Sequence, residues 1–214
     1  MTFFIIQMRR LALIKSVFYD TDCLECFLFV DAGYILEELF SKIVIPEQVY
    51  NELMAENTPS VVKSNFKKLK KGFVETREIT FSSHEYTTYS LIKKGFWSKT
   101  GKVCGDGESA AMALAHLNNG VVASNNLSDV EEYIESLDID LITSSMILSM
   151  AVEKNIVNVD TANGLWNKMV NEGIDLPKDS FSAYYNELYE LDCKKFLRKN
   201  IVQEDLFCKN NTVN

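Results

Sequence analysis

The sequence contains little of what several protein classes require. It has only 9 glycines and 3 prolines, too few for an all-β chain in which a tight turn follows every strand. No apolar run approaches the roughly 20 residues that span a bilayer. The apolar segment Phe3–Ile6 stands before Arg9 and Arg10, the reverse of the order in a secretory signal peptide. We therefore expect a cytoplasmic protein that does not bind membranes and is not all-β.

Cysteine and histidine are scarce as well. The five cysteines are an odd number spread along the chain, which does not form a disulfide framework. Cys23 and Cys26 form a C-x-x-C pair, which would suit a redox centre or half of a zinc site. Zinc needs further soft ligands nearby, and the chain has only His84 and His116. Because free cysteines are usually buried, we predict core thiols instead.

The charge distribution is more informative than the net charge of −8. Residues 61–104 carry ten lysines and arginines against three glutamates, a net charge of +7. A basic segment in an acidic chain can bind phosphates, although a solvated lysine face is the alternative. The predicted nucleic-acid contacts are Lys63, Lys67, Lys68, Lys70, Lys71, Lys93, Lys94, Lys99 and Lys102.

Short apolar segments alternate with helical patterns over much of the chain. The strand candidates are residues 16–20, 42–46, 73–79, 121–124 and 139–142. This alternation predicts an α/β fold with a parallel sheet covered by helices on both faces. Beyond residue 160 only helices are predicted, at 161–172 and 178–199. We therefore divide the chain into an N-terminal extension (1–15), an α/β domain (16–160) and a helical C-terminal extension (161–214).

Polar residues follow the predicted strands, where ligands bind in open parallel sheets. These residues are Asp20, Asp22, Glu52, Asn125 and Asn126; Asp106 and Glu108 stand at the start of a predicted alanine-rich helix over 107–117. Neighbouring carboxylates raise one another's pKa values unless a cation joins them, and hard oxygen ligands suit Mg²⁺ or Mn²⁺. A divalent ion beside a basic segment fits phosphodiester cleavage, because the ion activates water and stabilises the charged transition state.

The acids also have structural interpretations. Asp20 and Asp22 could cap the following helix, and the two acids that begin the alanine-rich helix could interact with its dipole. Glu52 shares a helix face with Val49 and Leu53, where an exposed carboxylate does not belong. A functional role is therefore favoured for Glu52.

A phosphatase of the haloacid dehalogenase type is an alternative interpretation. Such enzymes carry D-x-D-x-[TV] after the first strand, but Leu24 occupies the hydroxyl position of that motif here. Ala110 replaces the second acid of the G-D-x-x-x-D motif, which begins at Gly105. That motif also precedes Ser124, although it should follow it. The sequence thus departs from the phosphatase pattern in both composition and order.

Four motifs together resemble the PIN-domain family in content, order and spacing. They are VFYDTDCL (17–24), IVIPEQVYNEL (43–53), GDGESAAMALA (105–115) and VVASNN (121–126). The G-x-G-E form of the third is similar to the branch described as predicted PIN nucleic-acid-binding proteins. The resemblance implies an α/β/α sandwich around a parallel sheet. It also implies an Mg²⁺- or Mn²⁺-dependent endoribonuclease, and small prokaryotic members are frequently toxins of toxin–antitoxin pairs.

The resemblance also implies the site residues. Asp20, Glu52 and Glu108 match the first three acids of the family and are the expected catalytic residues, with Asp20 and Glu108 as metal ligands. The fourth acidic position falls on Asn125, which offers a neutral oxygen and removes one negative charge. The acids that could substitute for it are Asp22, Asp106 and Asp129. The expected partners are RNA, an antitoxin protein or a second copy of the chain, and the alternative is a catalytically weak PIN fold that only binds.

Overall fold

Five parallel strands form the centre of the fold. The computed structural model describes residues 16–197; the predicted extension 1–15 and residues 198–214 of the predicted C-terminal extension lie outside that range. The strands are β1 (Val17–Tyr19), β2 (Ile43–Pro46), β3 (Val74–Arg77), β4 (Val121–Ala123) and β5 (Asp140–Ile142). They lie in the order β3-β2-β1-β4-β5, and each neighbouring pair is parallel.

The central strand β1 is the point at which the strand order reverses. Phe18 pairs with Val44 on one side and with Val122 on the other. In open parallel sheets, a crevice forms beyond the carboxyl end of the strand at which the order reverses. Asp20 follows β1 directly and therefore lies at the floor of this crevice.

Eleven helices surround the sheet within residues 16–197. They are α1 (Thr21–Phe29), α2 (Gly33–Leu39), α3 (Glu47–Met54), α4 (Ser60–Lys68), α5 (His84–Lys93), α6 (Asp106–Leu117), α7 (Leu127–Ser136), α8 (Ser144–Glu153), α9 (Val159–Asn171), α10 (Phe181–Glu187) and α11 (Tyr189–Phe196). Helix α6 lies across β1, β2 and β4 and contacts α3, α5 and α7, whereas α8 contacts α1, α2 and the three C-terminal helices. The predicted α/β/α sandwich with a parallel sheet is confirmed.

Small residues let α6 lie close to the sheet. Four of its alanines are fully buried: Ala110, Ala111, Ala113 and Ala115. Asn119 ends the segment in the left-handed region (φ 48°). At Gly120, a Cβ would lie 2.5 Å from the Phe18 ring and 2.8 Å from the carbonyl oxygen of Ser16. Only glycine allows the chain to turn so tightly into β4.

The C-terminal helices pack through an aromatic cluster. Trp166 of α9 is fully buried, stacks on Tyr184 at 5.7 Å, and donates from Nε1 to the carbonyl oxygen of Lys178 at 3.0 Å. The prediction of one helix over 178–199 is wrong within the described range, because the chain breaks at Leu188 between α10 and α11. Tyr185 and Tyr189 stack at 5.6 Å across the break, a contact that their i, i+4 spacing would also allow in a continuous helix. The break lies in the backbone of Leu188, whose φ of −117° departs from the regular helical value.

The four cysteines within the described range, Cys23, Cys26, Cys104 and Cys193, are free and buried, as predicted. Burial raises the pKa of the Cys26 thiol to about 12, so it stays protonated and unreactive at neutral pH.

Between residues 16 and 197, no helix has both the length and the apolar character needed to cross a membrane.

Candidate metal centre

A cavity of about 290 Å³ opens beyond the carboxyl end of β1. Its lining includes five acids from four separate helices or their caps: Asp20, Asp22, Glu52, Glu108 and Asp129. The sheet topology brings these acids together although they are more than 100 positions apart in sequence at the extremes. The acids predicted as catalytic therefore share one cavity.

Asp20 is the most constrained of these acids. Its backbone N–H donates to the carbonyl oxygen of Ala123 at 3.0 Å, which extends the pairing of β1 with β4. Its Oδ1 accepts from the Cys23 N–H at 2.9 Å, so Asp20 is the N-cap of α1 as well as a cavity residue. Its Oδ2 is buried and has no hydrogen-bonding partner among the residues described.

Burial raises the pKa of the Asp20 carboxyl from 3.8 to about 8. The Ser124 hydroxyl and the Cys23 N–H oppose this rise, whereas the charges of Asp22 and Glu108 add to it. These two donors offset only part of the cost of burying the charged carboxylate, so the protonated form is favoured when no cation is near. A divalent cation beside Oδ2 would remove that cost.

Glu52 is held from two sides. Its Oε1 accepts from the Gly107 N–H at 3.2 Å, and its Oε2 accepts from the hydroxyl of Thr21. Helix α3 therefore contacts the first residue of α1 and the start of α6 through one carboxylate. Glu52 is fixed in position at the cavity wall.

Glu108 joins α6 to the chain that follows β4. Its Oε2 accepts from the Gly105 N–H at 2.9 Å and so closes the N-terminus of α6, while its Oε1 accepts from Asn126 Nδ2 at 2.8 Å. Burial raises the pKa of Glu108, and these two donors oppose the rise. The helix-start interpretation and the site interpretation of Glu108 are thus both supported by its contacts.

Asn125 does not line this cavity, in contrast to its predicted place as the fourth ligand. Its Nδ2 donates to Cys26 Sγ at 3.0 Å, and its Oδ1 accepts from the Ser144 N–H at 2.9 Å. The side chain of Asn126 faces the cavity instead and reaches Glu108. The chain turns at these residues, where the Leu127 N–H donates to the carbonyl oxygen of Asn125 at 2.9 Å, and only Asn126 faces the acids.

The three substitute acids differ in their surroundings. Asp22 lines the cavity, and burial raises its pKa. Asp129 also lines the cavity but pairs with Lys102 at 2.6 Å, which lowers its pKa. Asp106 does not line the cavity. Lys93 at 2.9 Å and the Tyr89 hydroxyl at 3.0 Å contact its carboxylate and lower its pKa. Asp106 and Asp129 each pair with a lysine, whereas no lysine or arginine within the described residues pairs with Asp22.

The family model DUF3368, described as a PIN domain, matches residues 16–190. The chain belongs to the PIN-domain family. No curated protein and no solved structure matches it. The PIN-domain match includes α9 and α10, which the sequence placed in a separate C-terminal extension, and the boundary at residue 160 stays a prediction.

The donor set suits the divalent metals that PIN domains generally use. It consists of hard carboxylate and amide oxygens, and Asp20 Oδ2 is the buried oxygen without a partner. Within residues 16–197, however, no three His, Cys, Asp or Glu side chains converge as a ready ligand cluster. The Glu52 and Glu108 oxygens are engaged by N–H and O–H donors instead. The residues present fit a metal ion that replaces one of the two hydrogen-bond donors of Glu108.

The predicted basic segment separates into two groups around the PIN domain. Lys93 and Lys102 pair with Asp106 and Asp129 beside the cavity. The lysines near the end of α4 lie at the opposite end of the sheet, because Lys68 pairs with Asp31 beyond the far end of α1. Lys70 pairs there with Glu37 and Glu38.

The other predicted lysines lie outside the cavity lining. Lys99 pairs with Glu135 near the end of α7, and Lys63 donates to the carbonyl oxygen of Glu56. Lys67 lies in the last turn of α4 and Lys71 follows that helix; with Lys68 and Lys70 they form the α4 group. Lys94 is the C-cap of α5. The nucleic-acid role of all nine lysines stays a prediction.

Sequence reasoning named Asn126 among the polar residues after the strands but gave no role to three residues of the site. Thr21 and Gly107 hold Glu52, and Asn126 holds Glu108. All three lie within the four motifs, next to the acids that were identified. Their roles depend on which way a side chain or an N–H points, and motif spacing does not contain that information.

Proposed function

We propose that the protein is a divalent-metal-dependent endoribonuclease of the PIN type. The observation that carries the proposal is Asp20 Oδ2, a buried oxygen without a partner at the floor of a cavity lined by acids. Such an atom is costly unless a cation or a donor occupies the position next to it. The family match adds the expectation of phosphodiester chemistry and favours it over the phosphatase interpretation.

The chain's own residues have separate tasks in this mechanism. Asp20 and Glu108 would hold Mg²⁺ or Mn²⁺, with Asp22 beside them. When bound, the metal activates a water molecule and stabilises negative charge on the phosphate. Thr21 and Gly107 fix the carboxylate of Glu52, which orients a water or takes its proton. Lys93 and Lys102, beside the cavity, supply positive charge for the RNA backbone.

A binding protein without turnover is the second candidate function. It is favoured by Asn126, a neutral residue that occupies one hydrogen-bonding position of Glu108. A metal site with one charge fewer binds its ion more weakly. This candidate predicts RNA binding that does not require metal.

The test is Mn²⁺- and Mg²⁺-dependent cleavage of a panel of structured RNAs. Asp20→Asn keeps the cap oxygen of α1 and removes the charge, so we expect it to abolish cleavage. The matched control is Asp160→Asn, an exposed aspartate in the first turn of α9 outside the cavity. Equal activity of Asp20→Asn and wild type would refute the proposal, whereas RNA binding with no cleavage by either would favour the binding protein.

The toxin role, the antitoxin partner and the homodimer rest on the family resemblance alone. A toxin would arrest growth when it is expressed, and Asp20→Asn would relieve the arrest. An antitoxin would be a protein that suppresses the same arrest when it is co-expressed.

A further inference from the structure

Three aromatic side chains form a surface track on and before α5. Phe81 contacts Tyr86 with ring centroids 4.8 Å apart, and Tyr86 contacts Tyr89 at 6.4 Å. Tyr86 and Tyr89 are three positions apart and therefore share one helix face. Phe81 is 75% exposed. We call Phe81, Tyr86 and Tyr89 the aromatic track.

The aromatic track ends beside Asp106, a residue that lies between Gly105 and Gly107 of the cavity lining. The Tyr89 hydroxyl donates to Asp106 Oδ1 at 3.0 Å, and Lys93, one helical turn further, pairs with the same carboxylate at 2.9 Å. Asp106 is followed by Gly107, whose N–H holds Glu52 in the cavity. One hydrogen bond thus connects the last ring of the track to the segment that builds the site.

The exposure of the track is not explained by packing within the described fold. Phe81 keeps most of its ring in water, although burial of a large apolar ring is favourable. Tyr86 and Tyr89 are half-buried; Tyr86 is held by its ring contacts on both sides, and Tyr89 by its ring contact and its hydrogen bond to Asp106. A fixed row of ring faces suits flat, uncharged partners.

We propose that the aromatic track binds the bases of single-stranded RNA and guides the strand into the acidic cavity. The identity of the ligand rests on the proposed function. Aromatic side chains bind unpaired bases by stacking, because every base has a π-face. Lys93 and Lys102 lie where the backbone of such a strand would reach the cavity. Continuity with the acids and with these cations favours RNA over a protein partner.

The track also changes the interpretation of residues 61–104. The sequence pointed to their lysines, but the α4 group lies at the opposite end of the sheet and pairs with acids. The aromatic track belongs to the same segment and ends beside the cavity lining. Stacking on rings, rather than a continuous lysine face, is the contact that this segment offers to RNA near the cavity.

The experiment measures binding by fluorescence anisotropy, in chelator, so that cleavage does not enter. One probe is a short single-stranded RNA, and the other is an abasic strand of the same length and charge. We expect wild type to prefer the RNA with bases, and Phe81→Leu to weaken binding of that RNA by about fivefold or more. Phe81→Trp keeps a ring and retains the affinity, and the abasic strand is unaffected by either change.

The matched control is Phe96→Leu, which alters an aromatic ring that is 68% exposed and packs on Trp97 rather than on the track. It should leave binding of both probes unchanged. Wild-type affinity in Phe81→Leu overturns the proposal, as does an equal loss in Phe96→Leu or on the abasic strand. Because the binding assay contains no metal, its result does not depend on whether the protein cleaves RNA. Cleavage by wild type together with wild-type RNA affinity in Phe81→Leu would refute the role of the aromatic track but not the nuclease proposal.

Discussion

The backbone of Gly107 lies directly against the carboxylate of Glu52. The Gly107 N–H donates to Glu52 Oε1 at 3.2 Å. A Cβ at Gly107 would lie 2.8 Å from Glu52 Oε2 and 3.0 Å from Val49 Cγ2. The start of α6 can therefore approach α3 this closely only without a side chain at position 107. The glycine both orients the catalytic candidate and leaves room for it.

Gly107→Ala should displace Glu52 and reduce RNA cleavage. A displacement of about 1 Å at a reacting group can lower the rate by the order of 100-fold. The measurement is kcat for RNA cleavage together with the thermal unfolding temperature. The control is Gly164→Ala within α9, where a Cβ meets no atom within 4 Å and alanine favours the helix by about 1 kcal/mol. Full activity in Gly107→Ala would show that Glu52 needs no such positioning.

Asp20→Asn should abolish stabilisation by metal without unfolding the protein. Asparagine retains the oxygen that accepts from the Cys23 N–H at 2.9 Å, so the cap of α1 persists. In wild type, Mn²⁺ at about 100 times its Kd should stabilise the fold by about 2.7 kcal/mol. The measurement is the rise in unfolding temperature that Mn²⁺ causes, and Asp160→Asn should show the same rise as wild type. The same rise in Asp20→Asn would mean that the ion binds at a different site.

The metal-free protein should lose stability as the pH rises from about 4 to about 8. The pKa of Asp20 is raised from 3.8 to about 8 in the folded chain, so the folded state binds more protons than the unfolded state in this window. Stability then falls with pH, by at most about 1.4 kcal/mol per pH unit for this one group. Burial raises the pKa values of Asp22 and Glu108 too, which acts in the same direction.

Urea unfolding in chelator at several pH values measures this slope. Asp20→Asn lacks the titrating group and should show a flatter dependence than wild type. Identical slopes in the two proteins would mean that Asp20 is already ionised in the folded chain.

The fold was predictable because local patterns and the sheet agree. Short apolar strands followed by capped helices recur from β1 to α8, and caps such as Asp20, Ser83 and Thr143 accept the N–H groups that their positions predict. The break at Leu188 was not predictable in this way. The apolar spacing continues through this residue, and the φ of −117° that ends the helix is a backbone feature that periodicity does not encode.

The site was predictable in its acids but not in their supports. Motif spacing identified Asp20, which follows β1 directly, and Glu108, which lies in the first turn of α6. The choice between Asn125 and Asn126 depends on side-chain direction at the end of β4. The separation of the lysines depends on tertiary ion pairs, such as that of Lys68 with Asp31, which charge counting along the chain does not reveal.

Neutralising the two lysines beside the cavity should flatten the salt dependence of RNA binding. The side chain of Lys93 is 32% exposed and pairs with Asp106, and that of Lys102 is 40% exposed and pairs with Asp129. Each phosphate contact with a single strand contributes about 0.7 to the slope of log K against log salt. Lys93→Gln with Lys102→Gln should therefore reduce the slope by about 1.4.

The matched control neutralises the α4 group: Lys67, Lys68, Lys70 and Lys71. Lys68 and Lys70 already pair with acids at the other end of the sheet, so this change should leave the slope near its wild-type value although it removes twice as many charges. Titrations of a single-stranded RNA at several salt concentrations, in chelator, compare the two variants. A flattened slope in the α4 variant alone would mean that RNA wraps around the far end of the sheet and reaches the cavity from there.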